Sequence, residues 1–253
     1  MPSSPVWKAG GNSGRSATMS INQYSKPMNT RVFLITAKTN LHVGNESGGE
    51  FTIIDKAIQR DSLTGLPCIN ASSLKGAVNE YCTNAVKMSP KDRLRLFGSD
   101  KTAKGNVSQK GEAIFFDAKL LFLPQQDDST LFHYVTSDPV IEMLNDRVRL
   151  FDPDFVYSRP AQFNGRDVKT ADLSELCQDD NLPIIARNVL DNGESKNLWY
   201  EQVLPAETVL YAVIQEEGDD LVVALNGKIV QIGANATIGY GYCRFELFEL
   251  LKK

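Results

Sequence analysis

Short runs of β-branched and aromatic residues, closed by turns and separated by helical patterns, recur along most of this chain, and no other feature restricts its fold as much. Arg31 to Lys38 reads as a buried first strand; Glu112 to Leu123, Leu131 to Thr136, Leu198 to Val203, Thr208 to Ile214, Lys228 to Ile232 and Tyr240 to Phe248 read as later ones. Helical spacing of Leu74, Val78, Tyr81 or Cys82, and Ala85 predicts a helix capped by Ser72 or Ser73. A second helix is expected over Pro90 to Phe97, ended by Gly98. A third, of about ten residues, should start at Asp138-Pro139, and a short one should lie at Asp220 to Leu225. Ser99 to Gly111 reads as a loop. This order of elements predicts an α+β fold with much antiparallel sheet, built on a ferredoxin-like βαββαβ core enlarged by insertions. Residues 151–197 lose the pattern and read as an inserted subdomain with a hairpin near Ile184 to Leu190.

With 253 residues, 42% hydrophobic and 23% charged, the chain is large enough to bury a core, so disorder is excluded as its dominant state. The densest apolar run, Ala113 to Leu123, is interrupted by Asp117 and Lys119 and falls short of the roughly 20 apolar residues of a membrane span. No membrane partner is expected. Residues 1–27 are rich in Ser, Pro, Gly and Asn and lack the apolar block of about 7 to 15 residues of a secretory signal, so they read as a disordered extension. Cys68, Cys82, Cys177 and Cys243 lie far apart without CxxC spacing, which predicts reduced thiols and a cytoplasmic location.

The net charge of −4 conceals an asymmetry. Residues 56–104 carry 9 Lys and Arg against 4 Asp and Glu, whereas residues 105–253 carry 13 against 24. A basic segment suits a solvated face or a polyanion equally well.

Motifs narrow the choice. There is no phosphate-binding P-loop, no H-E-x-x-H and no G-x-S-x-G; Ser72-Ser73-Leu74-Lys75 matches S-x-x-K, but the companion S-D-N and K-T-G elements are missing. Ser72 to Gly76 opens a helix, where unpaired N–H groups and the helix dipole favour an anion; a plain cap with a solvated Lys75 fits the same residues. The Gly-rich stretch Ile232 to Tyr242 suits an anion-binding nest flanked by Tyr240 and Tyr242, or a long hairpin loop. Asp55, before Lys56, either pairs locally with Arg60 or faces a bound RNA, where a side chain with a reference pKa of about 3.9 is ionised at neutral pH.

Taken in order, Leu41-His42-Val43-Gly44, Ile54-Asp55-Lys56 with Arg60-Asp61, Thr64-Gly65-Leu66-Pro67, Ser72 to Gly76, Leu96-Phe97-Gly98 and the Gly233 to Gly241 loop resemble the RAMP superfamily of CRISPR-associated proteins. The similarity is to the repeated backbone subunit of type III effector complexes. Phe115 to Leu121, Phe132 to Thr136, Leu198 to Glu201 and Gln231 to Gly233 are more like the type III-B version. Asn70-Ala71 departs from the proline-glycine common before the serines.

The resemblance implies an RRM-like palm over 28–150 and 198–253, with a thumb-like insertion at 151–197 and a Gly-rich C-terminal loop. Copies would stack along a CRISPR RNA beside other subunits of a type III-B effector complex, and complementary target RNA would be cut at regular intervals, leaving 2′,3′-cyclic phosphate and 5′-hydroxyl ends. Asp55 would be the catalytic carboxylate and hold a divalent metal ion, Mg2+ or Mn2+. RNA would be bound by His42, Lys56, Arg60, Ser72, Ser73, Lys75, Gly233, Asn235, Thr237, Gly239, Tyr240 and Gly241. A non-cleaving, structural RNA-binding subunit is the rival reading.

Overall fold

The computed structural model describes residues 28–44, 54–99 and 109–248. The extension at 1–27, residues 45–53 and 100–108 of the expected loop lie outside the described residues. In chain order the elements are β1 (Asn29–Ala37), β2 (Cys68–Ile69), α1 (Ala71–Asn84), α2 (Pro90–Phe97), β3 (Ile114–Phe115), β4 (Ala118–Asp127), β5 (Leu131–Thr136) and α3 (Asp138–Arg149). They continue with β6 (Gln162–Phe163), β7 (Arg166–Thr170), α4 (Leu173–Leu176), β8 (Ile184–Asp191), β9 (Glu194–Gln202), β10 (Val209–Glu216), α5 (Asp220–Leu225), β11 (Ile229–Gln231) and β12 (Tyr242–Leu247).

The fold is α+β, as the strand runs predict. Among the described residues the larger sheet runs β11-β12-β1-β10-β4-β5-β7-β6, with β2 on β4 and β3 on β10, while β8 and β9 form a separate hairpin. Every residue of β10 is buried, which is the signature of a strand covered on both faces. β1 and β4 flank it antiparallel, and β12 in turn pairs antiparallel with β1. Chain order places α1 between β1 and β4 and α5 between β10 and β12. The crossover through α3 joins β5 to the parallel strand β7, so residues 162–170 extend the sheet.

Sequence pattern explains the helices. Leu74, Val78 and Cys82 make the buried stripe of α1; Val140, Ile141, Leu144 and Val148 make that of α3. Ser89 caps α2 by accepting from the Asp92 N–H, Pro90 occupies its first turn, and Gly98 at φ +81° ends it.

Three local expectations are corrected. Neither Ser72 nor Ser73 caps α1: Asn70 is the N-cap residue, without a side-chain cap bond, and the Ala71 N–H donates to Asp117 Oδ1 at 2.8 Å. The expected continuous strand from Glu112 breaks at Phe116-Asp117 for the same reason, because Asp117 turns away to serve that helix start. α3 likewise begins after Ser137, not with Asp138 as its cap.

Beside this junction Lys119, 8% exposed, places its ammonium 2.6 Å from Asp61 Oδ2 and 3.1 Å from Asp117 Oδ2. Asp61 also accepts from Thr64 N–H and hydroxyl, closing the turn that leads to β2. Burial pushes the Asp61 carboxyl up, but the Lys119 and Thr64 hydrogen bonds and the Lys119 charge outweigh it, and its pKa falls from 3.8 to about 2. A lowered folded-state pKa stabilises above the unfolded value, and that contribution is lost as pH falls from about 4 to about 2. Asp61→Asn should therefore cost about 2 kcal/mol at neutral pH and flatten this part of the acid limb of a denaturant-monitored stability profile.

Candidate nucleic-acid interface

Asp55 sits where the segment after the first loop meets the β8–β9 hairpin. Backbone N–H groups of Asp55 and Lys56 both donate to the Tyr200 carbonyl at 3.1 Å, Gln202 N–H donates to the Lys56 carbonyl at 2.9 Å, and Lys56 bridges Glu201 in parallel register. Residues 55 and 56 thus lie along β9 as an added edge. The Asp55 side chain is exposed, and its Oδ2 accepts from the Tyr200 N–H at 2.7 Å. Its Oδ1 has no hydrogen-bond partner among the described residues.

Below that edge lies a buried carboxylate. Glu201, 1% exposed, accepts from Arg187 Nε at 2.8 Å and from Asn235 Nδ2 at 2.9 Å to each oxygen, and faces His42 Nε2 at 3.4 Å. Burial raises its pKa, but the Asn235 and Arg187 hydrogen bonds with the nearby His42 and Arg187 charges reverse the sign, so the carboxyl is held below its ordinary range. One side chain thereby joins the hairpin, the turn after β1 and the Gly-rich loop.

The loop is also fastened by backbone. Ala234 N–H donates to the His42 carbonyl at 2.9 Å and Gly241 N–H to the Asn40 carbonyl at 2.8 Å. Gly233, Gly239 and Gly241 take φ of +79°, +84° and +77°, and Asn235 takes +66°. At Gly233 a Cβ would lie 2.2 Å from the His42 carbonyl oxygen, so only glycine permits this approach. Thr237 and Gly239 remain exposed at the loop tip.

Several expected RNA ligands are engaged within the protein. His42 is 3% exposed, with Nδ1 donating to the Gln202 carbonyl at 2.7 Å, so it lies inside the junction and not on its surface. Arg60 donates to the Gly65 carbonyl at 2.9 Å and pairs with Asp179 at 2.8 Å. Ser73 Oγ accepts from Gln59 Nε2 at 3.0 Å, and Gln59 also donates to the Gly44 carbonyl and accepts from the Asn70 N–H. That glutamine ties the α1 start to the turn after β1.

Ser72 is exposed and Lys75 half-buried, neither with a hydrogen bond or ion pair among the described residues; Gly76 has open space where a Cβ would project. Asp117 already serves the Ala71 N–H, so this helix start offers an anion fewer donors than expected. Lys56 is exposed and stands over the Trp199 ring, and Arg187 stands over Tyr240.

Motif reading assigned no role to Glu201, Arg187, Gln59 or Gln202. The detectable signal for Glu201 was a carboxylate inside the apolar run Leu198 to Val203, since a charge on a buried strand demands partners.

No group of three or more His, Cys, Asp or Glu able to hold a metal occurs among the described residues. The donor set at Asp55 is one carboxylate, which suits an ion carried largely by substrate phosphates and water, not an all-protein cage.

The contrast between two glycines tests the docking of the loop. Gly239→Ala meets no atom within 4 Å and should cost about 1 kcal/mol of backbone strain. Gly233→Ala should cost about 3 kcal/mol and unseat the loop, read by thermal unfolding and by faster hydrogen exchange at Ala234.

The family model of the RAMP superfamily matches residues 34–244. The CRISPR system Cmr endoribonuclease Cmr4 of Pyrococcus furiosus is 25% identical over 283 aligned residues, covering 84% of this chain and 93% of that protein. Among solved structures, a chain of type III-B Cmr-beta bound to cognate target RNA superposes with a TM-score of 0.71 at 20% identity, covering 87% of this chain and 97% of the other. Oligomeric Cmr4 from Pyrococcus furiosus superposes with a TM-score of 0.62 at 18% identity, covering 88% and 99%. Among the described residues no helix is long and apolar enough to cross a membrane. From the extent of the family match, spanning the first strand to the last, the chain belongs to the RAMP superfamily.

Proposed function

We propose that this chain is the repeated backbone subunit of a type III-B CRISPR effector complex, that it binds CRISPR RNA as a filament with further copies of itself, and that it cuts complementary target RNA at regular intervals. The observation that carries the cleavage reading is the exposed Asp55 carboxylate, held at a defined place on the β9 edge and flanked by the exposed cation Lys56. The relatives named endoribonuclease and solved with target RNA support the same reading.

The strand order β12-β1-β10-β4, with α1 and α5 as the two connecting helices, supports a ferredoxin-like palm, and the separate β8–β9 hairpin supports a thumb role for part of the insertion. Four buried, unpaired cysteines fit a reducing compartment, and we place the complex in the cytoplasm.

In the proposed reaction a target ribose 2′-oxygen attacks the adjacent phosphorus. The 2′-O–P bond forms, the P–O5′ bond breaks, the 2′-hydroxyl proton leaves and the 5′-oxygen gains one, giving 2′,3′-cyclic phosphate and 5′-hydroxyl ends. Asp55 Oδ1 is the acceptor positioned for the 2′-hydroxyl proton, with Oδ2 kept in register by Tyr200. A divalent ion, Mg2+ or Mn2+, held by the Asp55 carboxylate and RNA phosphates would supply charge neutralisation at the scissile phosphate.

The hydrogen bond from Tyr200 also favours a second reading, in which Asp55 only braces the hairpin of a non-cleaving subunit. Asp55→Asn separates the two, because an amide oxygen still accepts from Tyr200 but carries no charge. In the assembled complex both Asp55→Ala and Asp55→Asn should reduce cleavage at least about 100-fold while target binding stays within about twofold. Cleavage by the Asn variant at the wild-type rate would leave the bracing role alone.

Guide retention gives a second test. If Lys75 touches a guide phosphate, Lys75→Ala should lower the slope of log affinity against log salt by about one in a titration from low to moderate salt.

A further inference from the structure

On one face of the β8–β9 hairpin, cations and rings alternate across three segments of the chain. Lys56 Nζ lies 4.9 Å from the Trp199 ring centroid. Trp199 is the direct register partner of Arg187, and the Arg187 guanidinium carbon lies 4.8 Å from the Tyr240 centroid. Residues directly opposite in an antiparallel pair share a face. The stripe therefore runs from the Asp55 segment, through the hairpin, to the Gly-rich loop.

Two donors in this stripe are orphans. Arg187 Nη2 and Trp199 Nε1 are both buried without a hydrogen-bond partner among the described residues. Such groups are costly, and a buried indole N–H or guanidinium ordinarily finds an acceptor. Glu201 does not supply it: it accepts from Arg187 Nε and Asn235, and neither orphaned donor reaches it. The Trp199 face is covered by Lys56, an exposed and flexible side chain able to leave. Orphaned donors beside a displaceable cover, with aromatic faces between cations, match the requirements of single-stranded RNA: ring faces for bases and N–H donors for phosphate oxygens.

We infer that Trp199 is the platform on which one target nucleotide beside the scissile step stacks when Lys56 swings off its ring, Arg187 Nη2 and the displaced Lys56 ammonium then taking phosphate oxygens. The inference rests on the cleavage reading above and assigns Trp199 as a positioning residue for it. Stacking one base turns it out of the strand, which rotates the adjoining sugar and phosphate toward the in-line geometry that attack requires. Tyr200 N–H, the next residue along β9, holds Asp55 at that place.

The test uses the complete complex carrying Asp55→Asn, loaded with uncut complementary RNA that has 2-aminopurine at the nucleotide beside the cleavage step. Stacked on an indole the probe is quenched. Trp199→Leu should raise its fluorescence several-fold, and Trp199→Phe should restore part of the quenching. With Asp55 intact, Trp199→Leu should slow cleavage about tenfold at unchanged target affinity, and Trp199→Phe should recover most of the rate. Lys56→Met, at an exposed position that leaves Trp199 in place, should keep the probe quenched and reduce the salt slope of target binding by about one. Equal probe fluorescence in complexes with and without the Trp199→Leu change, or an unchanged salt slope in Lys56→Met, would overturn the assignment. A complex that never cuts RNA would defeat the Asp55 reading, whereas the fluorescence arm, run on uncut RNA, still judges Trp199.

Discussion

The buried carboxylate of Glu201 is the constraint on which the rest of this site depends. A charge taken out of water is tolerated only where partners surround it, and here those partners come from three places that are distant in sequence: Arg187 on β8, Asn235 in the Gly-rich loop and His42 after β1. Their demand for one another sets where the hairpin meets the sheet. Loss of any one would leave the buried carboxylate less fully compensated in a dry junction, which makes the arrangement specific as well as stabilising.

The candidate catalytic segment is part of the same construction. A two-stranded hairpin alone is marginal in water, and among the described residues β8–β9 pairs with no strand of the larger sheet. Residues 55 and 56 add a short parallel edge to β9, so the stretch that presents Asp55 to solvent also steadies the hairpin. Function and anchoring share a backbone. At the far end of that stretch Gln59 reaches the α1 start and the Gly44 carbonyl, and the Lys119 cluster with Asp61 and Asp117 fixes the next turn. Residues 55–59 therefore carry the geometry from the hairpin to the helix.

Much of the fold was legible in the chain because strand and helix patterns are local. Alternating or continuous apolar runs marked β1, β5, β10 and β12, and Pro90 with Gly98 bracketed α2. The α1 start was misread since its first N–H is served by Asp117, 46 residues further along the chain, and a serine beside a helix looks the same whether or not a distant carboxylate has taken its role. His42 illustrates the same limit. The family resemblance implied an RNA contact for it, yet burial against Gln202 and Glu201 is a property of two strands coming together, with no trace in the residues around it.

Residue order alone thus determined the α+β class and the family motifs, Asp55 among them, because these follow from short-range periodicity and from side-chain chemistry. Tertiary structure alone decided which polar groups face solvent and which are enclosed, that Glu201 should be the hub, and that Lys56, Trp199, Arg187 and Tyr240 should line one face. The physical reason is that desolvation and pairing depend on distances between segments, which a linear pattern does not encode.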